Sequence, residues 1–332
     1  MSTNLVPIAI SSQLDVTGEE RIHAAPYVPV VRPVWSEPEF NIYTNVLLTT
    51  LLQYSNDGGD TFTQELDVGG SVGVLPIVAA ANGRLFRFRN SAGVVSTDGS
   101  LFTACTGITI SGVCGVLYSG TEWIVYGGST NLNVSAGGTA FSNRAVGANC
   151  QSMAQSGSTI VGVTGSSNNL IVSTNGGTTF ASSNTGLSSI LARIVHNGTR
   201  FIVAGDGTNK VQYSSTGLGG SWTAATSPTS NAIRRLACNP TTGRVVIVDS
   251  TGASFYSDDS GSTWSAGGTV AHTIPANSQD NYMMFTNGRF FLHPNAVGSS
   301  SYIYSSPDSL VWTLVLDTLG DYNIGNLAAF MV

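Results

Sequence analysis

Charge is what this chain has least of. Asp, Glu, Lys and Arg make up 10% of its 332 residues, against about 25% in an average soluble domain, and Lys210 is the only lysine. With 13 basic and 19 acidic residues the net charge is -6. The clustered basic footprint that a phosphate backbone requires is missing, which argues against nucleic acid as a partner. Cysteine is scarce too: Cys105, Cys114, Cys150 and Cys238 lack the CxxC spacing of a zinc or redox site, and free buried thiols are the expectation. No apolar run is long enough to span a bilayer, so no membrane insertion is expected. The start, Met-Ser-Thr-Asn-Leu-Val-Pro, has neither a basic segment nor a long apolar one, so no signal peptide is expected. No long amphipathic helix can be drawn. What remains is 42% hydrophobic residues and 39 Gly, the makeup of many short strands joined by tight turns.

Those strands repeat. Seven times a β-type run ends in Ser, crosses a short Asp/Asn/Gly turn and lands on an aromatic residue. The copies are Ser55-Asn-Asp57 to Phe62, Ser96-Thr-Asp98 to Phe102, Ser135 to Phe141, Ser173-Thr-Asn175 to Phe180, Ser214 to Trp222, Ser257-Asp-Asp259 to Trp264, and Ser305 to Trp312. Their aromatics stand 40, 39, 39, 42, 42 and 48 residues apart, a period that fits one four-stranded propeller blade. The spacing predicts an all-β, seven-bladed β-propeller of four-stranded antiparallel blades over residues 41–332.

Aligning the copies gives one order: strand A, hairpin, strand B, loop, strand C, Ser-x-Asp turn, strand D. It is clearest in Ile190 to Val195, Asn197-Gly-Thr-Arg200, Phe201 to Ala204, Val211 to Tyr213 and Trp222 onward. Asn-Gly and Thr-Gly pairs recur where A turns into B, because these residues tolerate positive φ. In the other turn an Asp or Asn carboxyl or amide oxygen can accept backbone N–H bonds while the aromatic packs back between strands. The end of the chain, residues 323–332, resembles an A strand. It is expected to complete the blade whose other strands come from residues 40–66, so that both ends latch one sheet and no edge stays open.

Residues 1–40 are left over. They hold Pro7, Pro26, Pro29, Pro33 and Pro38, a composition that cannot form a central strand and reads as an extended arm. Tyr27 and Trp35 give that arm apolar surface, and they are the residues expected to dock it on another virion protein or on a second copy of the chain.

The Ser-x-Asp-x-Gly-x-x-Trp/Phe pattern resembles the Asp-box repeat of the sialidase-like propeller superfamily, which includes sortilin-type receptors and photosystem II assembly factors as well as enzymes. The resemblance covers about residues 45–332 and implies the fold, since the same repeat serves unrelated functions. Sialidases resemble six-bladed rings with an arginine triad, a Tyr/Glu nucleophile pair and an Asp acid/base. Here the first-arginine element is matched only by Arg32-Pro33 in the arm. Of the glutamates, Glu19, Glu20, Glu37 and Glu39 fall in the arm, and Glu65 and Glu122 match no nucleophile partner.

Other chemistry is equally thin. Asp206 and Asp249 end equivalent B strands of adjacent blades and would suit a glycosidase only if their carboxyls stood about 5–10 Å apart across a pocket. The alternative is that they orient their own loops. His196 and His272 fall in expected turns or loops, His293 follows a B strand and His23 is in the arm; they form no metal-spaced cluster, and each is expected to be a surface or turn histidine. No catalytic residue, cofactor or metal is therefore assigned. Recognition is expected on the face carrying the B–C and D–A loops, with Asp206, Asn209, Asp249, His272 and Asn295 as binding candidates and the stretch Ala266 to Asp280 as the longest protrusion.

Three functions stay open on this reading. The first is a non-enzymatic structural or adhesive propeller of a bacteriophage particle (tail, fibre or capsid surface), made in the host cytoplasm and presenting loops to a host-surface glycan or protein. The second is a glycan-acting enzyme or carbohydrate-binding module. The third is a cellular assembly factor or receptor-like propeller.

Overall fold

The computed structural model describes the backbone at residues 13–14, 20–21, 40–46, 51–55, 63–67, 77–89, 92–98, 101–165, 167–275, 282–294, 302–317 and 324–331. Side chains are described at 81–88, 92–98, 101–165, 167–275, 282–294 and 302–317. The chain divides into two compact units, Met1–Glu37 and Pro38–Val332. The division falls slightly before the expected limit at residue 40, because Phe40 already begins a strand. In the first unit Gln13–Leu14 pairs antiparallel with Glu20–Arg21. Tyr27 and Trp35 lie outside the described residues.

The second unit is all β. Six of its sheets each take four strands in unbroken order, antiparallel and joined A-B-C-D. Blade 1 is Ile77–Ala81, Arg84–Arg89, Ala92–Ser96 and Thr103–Cys105. Blade 2 is Val113–Tyr118, Trp123–Gly127, Asn131–Ser135 and Ser142–Ala145. Blade 3 is Ser152–Ser156, Thr159–Val163, Asn169–Ser173 and Ala181–Asn184. Blade 4 is Ile190–His196, Phe201–Asp206, Val211–Ser214 and Thr223–Ala224. Blade 5 is Ile233–Cys238, Val245–Asp249, Ala253–Ser257 and Ser265–Thr269, and blade 6 is Met283–Thr286, Arg289–Leu292, Tyr302–Ser306 and Thr313–Asp317. One further four-stranded sheet is composite: the C-terminal strand Ile324–Met331 pairs antiparallel with Phe40–Val46, followed by Leu51–Ser55 and Thr63–Asp67. The A strands follow one another in contact from blade 1 to blade 6, and Ile324–Met331 touches the A strands of both blade 6 and blade 1.

Burial explains the sequence pattern. Every B-strand residue of Trp123–Gly127 and Val245–Asp249 is buried, because a B strand lies in the middle of its sheet with neighbouring blades on both faces. It therefore reads as a continuous apolar run instead of alternating. The outer D strands, such as Ser142–Ala145 and Ala181–Asn184, are mostly exposed and read as Ser, Thr and Asn. The core sits in the seams between blades. Phe86, Phe88 and Val95 of blade 1 meet Val113, Trp123 and Val125 of blade 2, and Val246 and Val248 of blade 5 meet Met283, Phe290 and Leu292 of blade 6. Each such side chain contributes about 1.5–3 kcal/mol on burial.

The Ser-x-Asp turns form as their chemistry demands. In blade 5, Asp259 Oδ1 accepts from Ser257 Oγ at 2.8 Å and from Thr263 N at 2.8 Å, while Gly261 N donates to Ser257 Oγ at 2.9 Å. Asn175 does the same in blade 3 with Ser173 Oγ and Thr179 N, both at 2.9 Å, and Asp98 in blade 1 accepts from Ser96 Oγ at 2.8 Å and Leu101 N at 2.9 Å. The aromatics then pack at the seams: Phe180 against the blade 2–3 cluster, Trp264 against the blade 4–5 cluster and Trp312 against the blade 5–6 cluster, its Nε1 donating to Ser254 Oγ of blade 5 at 3.1 Å. Phe102 is half-buried. Blade 6 corrects the sequence register. Ser306, not Ser305, closes the strand and holds the turn, accepting from Ser309 N at 2.8 Å, with Asp308 two residues on as Asp98 is from Ser96 in blade 1. Ser55 closes its strand, and its side chain, Asp57 and Phe62 lie outside the described residues.

Polar stitches also cross the seams. Asn197 Nδ2 of blade 4 donates to Gly243 O at 2.7 Å and Ser260 Oγ at 3.0 Å in blade 5, and Arg200 reaches Ser262 Oγ at 2.7 Å while covering the Tyr213 ring at 4.7 Å. Arg244 of blade 5 grips Asp258 at 2.7 and 2.8 Å and donates to Asp308 O of blade 6 at 3.0 Å. Arg144 of blade 2 pairs with Glu122 and donates to Gly177 O of blade 3 at 2.6 Å. In each case a polar side chain of one blade ties down the turn of the next.

Candidate functional site

The loop carboxylates are engaged by hydrogen bonds within their own blades. Asp249 is 1% exposed. It accepts from Thr229 Oγ1 at 2.8 Å, Asn231 Nδ2 at 3.0 Å, Thr251 Oγ1 at 2.6 Å and N at 2.9 Å, and Ala253 N at 3.2 Å. Burial pushes its pKa up, but these hydrogen bonds outweigh burial and hold it below the ordinary carboxylate value. Asp249→Asn should therefore cost about 1–3 kcal/mol, read as a lower denaturation midpoint that converges with wild type as the pH drops below the carboxylate range, where both forms are neutral. Asp206 accepts from Gly207 N at 2.8 Å and Lys210 Nζ at 3.2 Å, and Asn209 bonds Ser188 O at 3.2 Å. Asp206 thus secures its own loop, whereas Asn209 and Asp249 also tie the B–C loop to the segment leading into the A strand of the same blade.

Two expectations about the histidines change. His196 is the last residue of the blade 4 A strand instead of a loop residue, and His293 is no surface residue, being 0% exposed. His272 is half-buried, stacked on Tyr302 at 3.9 Å with Nδ1 2.7 Å from Tyr304 Oη. The expected protrusion Ala266 to Asp280 is also corrected. Its first part is the blade 5 D strand, and Val270 and Ile274 are buried in the blade 5–6 core. Residues 276–281 and Asn295 lie outside the described residues.

The A strands frame a cavity of about 360 Å³. Met153, Gln155, His196, Cys238, Met284 and Phe285 line it, among others. Gln155, His196, Cys238 and Phe285 stand at or near the hairpin ends of their strands, so the cavity opens towards the A–B hairpins, opposite the loops chosen from sequence. Burial lowers the His196 pKa, and Nδ1 accepts from Gly198 N at 3.3 Å, which leaves the proton on Nε2. Burial pushes the Cys238 thiol up to about 12, so it stays protonated. Thioethers and an aromatic ring make an adaptable apolar lining, with an imidazole N–H and an amide as polar handles. The same hairpin-and-turn face carries Leu101, Leu218, Leu310 and Val311, all exposed.

Deeper along the A strands lies a buried polar layer. Arg193 and Arg235 occupy equivalent positions just after a register shift in adjacent A strands and are 2% and 1% exposed. Each donates from a terminal nitrogen to the carbonyl of the preceding residue, at 2.8 and 3.0 Å. Arg235 lies 4.8 Å over the Tyr282 ring, which stacks on His293 at 5.2 Å. Neither His293 ring nitrogen has a hydrogen-bond partner among the described residues. Burial, then the neighbouring Arg235, lowers the His293 pKa to about 3. Burial, then Arg193, lowers that of Arg235 to about 9.

The chain has the fold of a β-propeller. Among solved structures it resembles Ycf48 bound to D1 peptide, with a TM-score of 0.59 at 15% identity over 87% of each chain. It also resembles a functionally unknown protein from Desulfotomaculum acetoxidans, with a TM-score of 0.64 at 13% identity over 88% of this chain and 99% of that one. A third is apo AztD from Citrobacter koseri, with a TM-score of 0.50 at 11% identity over 87% and 97%. No protein-family model and no curated protein matches the chain. Identities this low show the fold alone, and one such fold serves unrelated functions.

On this propeller the candidate loop residues are not gathered into one site. Asp206 and Asp249 serve separate loops of adjacent blades, and His272 belongs to an aromatic cluster with Tyr302 and Tyr304. Among the described residues no group of three His, Cys, Asp or Glu could hold a metal, and no helix is long and apolar enough to cross a membrane. The cavity and the buried layer went unnoticed in the sequence because their residues sit singly on separate A strands. Only column-by-column alignment, which puts Gln155, His196, Cys238 and Phe285 at one level, would have brought them together.

Proposed function

We propose that this chain is a non-enzymatic binding propeller that takes a protein partner at the hairpin-side mouth of a closed seven-bladed ring. The observation that carries the reading is the 360 Å³ cavity lined by Met153, Met284 and Phe285, with His196 and Gln155 beside them. It is of a size to accept one or two apolar side chains of a peptide, and exposed apolar tips share its face. That Ycf48 is found bound to a peptide supports this choice over a glycan. So does the engagement of Asp206 and Asp249 in hydrogen bonds within their own blades, which occupies the two carboxylates considered for glycosidase chemistry. The setting we propose is a bacteriophage particle, with the arm through Tyr27 and Trp35 as its anchor. That part rests on low charge, Gly/Ser/Thr-rich repeats and the proline-rich leader.

A displayed peptide library selected on the whole chain tests the reading. Selected peptides should bind Met284→Glu at least about 10-fold more weakly, with the melting temperature little changed because Met284 is only half-buried. Peptides that bind wild type and Met284→Glu equally would place the site elsewhere. Release of reducing ends from a polysaccharide panel would replace the reading with an enzymatic one.

A further inference from the structure

Four Asn-Gly pairs occur in the sequence, at Asn82, Asn175, Asn197 and Asn287, and the structure treats them in two opposite ways. We infer that Asn82 and Asn287 are sites of spontaneous succinimide-forming modification, while Asn175 and Asn197 are protected by the fold. In this reaction the backbone nitrogen of the following Gly attacks the Asn side-chain carbonyl carbon. The new C–N bond closes a five-membered imide, the Cγ–Nδ2 bond breaks and ammonia leaves. Water then opens either imide carbonyl, giving aspartate or isoaspartate. Three things govern it: freedom of the amide side chain, freedom of the Gly N–H, and room to flex.

At Asn197 all three are denied. Its Nδ2 donates to Gly243 O at 2.7 Å and Ser260 Oγ at 3.0 Å, and its Oδ1 accepts from Arg200 N at 3.0 Å and Thr199 N at 3.2 Å. The Gly198 nitrogen itself donates to His196 Nδ1 at 3.3 Å, and the side chain is 2% exposed. At Asn175 the amide is held by Ser173 Oγ and Thr179 N, both at 2.9 Å, and by Thr179 Oγ1 at 2.8 Å, and Gly176 N donates to Ser158 O at 2.9 Å.

Asn82 and Asn287 are the reverse. Each is exposed at the tip of a two-residue hairpin, bracketed by the pairs Ala81↔Arg84 and Thr286↔Arg289. Each sits at positive φ, 44° and 48°, the left-handed conformation that an Asn-Gly hairpin imposes. No hydrogen bond holds either amide or the nitrogens of Gly83 and Gly288 among the described residues. A Cβ built on either glycine would meet nothing within 4 Å, so the tip has room to close on itself. Conversion places a carboxylate two residues from Arg84 and Arg289, and the isoaspartyl form adds a backbone methylene inside a hairpin that has only two residues to absorb it.

The purified full chain is incubated for days at mildly alkaline pH, then digested under acidic conditions and mapped by mass spectrometry with isoaspartate detection. A urea-denatured sample is the control. In the folded chain Asn82 and Asn287 should convert at least about 10-fold faster than Asn197, with Asn175 nearer Asn197, whereas the denatured chain should convert all four at similar rates. The variant Asn82→Gly/Asn287→Gly, which keeps residues at ease with positive φ, should lose the acidic isoforms that wild type accumulates. Equal conversion of Asn197 and the two exposed sites in the folded chain would overturn the inference. So would intact Asn82 and Asn287 under conditions that convert the denatured control.

Discussion

Acidification from neutral pH towards 3 destabilises this ring by about 5 kcal/mol through His293 alone, and His293→Phe escapes that share of the loss. The sign follows from linkage. The folded pKa of about 3 lies below the ordinary histidine value of 6.5, so between those limits the unfolded chain binds a proton that the folded chain refuses. Stability contributed by the neutral imidazole is whole above the unfolded value. It falls by about 1.4 kcal/mol per pH unit below it and levels off once the pH passes the folded value. The cause is local. A proton on His293 would sit 0% exposed, stacked on Tyr282 with the Arg235 guanidinium over that ring, with like charge nearby and no hydrogen-bond acceptor for its ring nitrogens among the described residues. Denaturant midpoints recorded for both proteins across this range give the answer. Wild type and His293→Phe also share the acid loss carried by Asp249, so only their difference reports on His293, and curves that stay parallel would refute the assignment. At neutral pH the Phe variant should be at least as stable, since it keeps the ring stacking and removes two unsatisfied polar atoms.

That prediction rests on a residue that the sequence placed correctly and valued wrongly. His293 directly follows the B-strand run Arg289-Phe-Phe-Leu292, and a histidine at the end of a strand reads as a loop residue. Its burial comes from the level it shares with Ala204 and Val248 of neighbouring blades, a column that single-strand periodicity does not display. By contrast, local signals were faithful wherever one turn's chemistry decided the outcome. Asn-Gly in the blade 1 and blade 6 hairpins and Ser-x-Asp in blades 1, 3 and 5 name their own backbone conformations, because each oxygen and each positive φ is satisfied within a few residues. The Ser305 reading failed for a local reason as well, since of two adjacent serines it is Ser306 that ends the strand and stands two residues before Asp308.

Contacts between blades were the illegible part. Arg200 and Arg244 stood in plain view after their Gly-containing hairpins, yet their partners, Ser262 and the Asp308 carbonyl, lie more than one full repeat away. The cavity was missed for a related reason. Loop variability drew attention to the B–C and D–A side, whereas the cavity is assembled from the ends of four A strands that carry no motif.

The C-terminal strand carries the second large effect. A chain ending before Ile324 should lose cooperative unfolding and aggregate, since Ile324–Met331 is the strand that joins Phe40–Val46 and touches the A strands of blade 6 and blade 1. Its removal leaves a seven-residue strand with one row of backbone groups unpaired, next to the A strands of two other blades. An unpaired strand edge of that kind templates association with other chains. Loss of the seam contacts on both sides would add to the backbone cost, and the total would consume most of the 5–15 kcal/mol by which a domain is stable. Size-exclusion chromatography and thermal melting of the truncated chain test this directly. Adding back a synthetic peptide of residues 323–332 distinguishes the latch from a general need for chain length, because the peptide should restore the monomer by pairing with Phe40–Val46 whereas a scrambled one should not. A truncated chain that stays monomeric and melts at the wild-type temperature would show that the ring holds without its composite sheet.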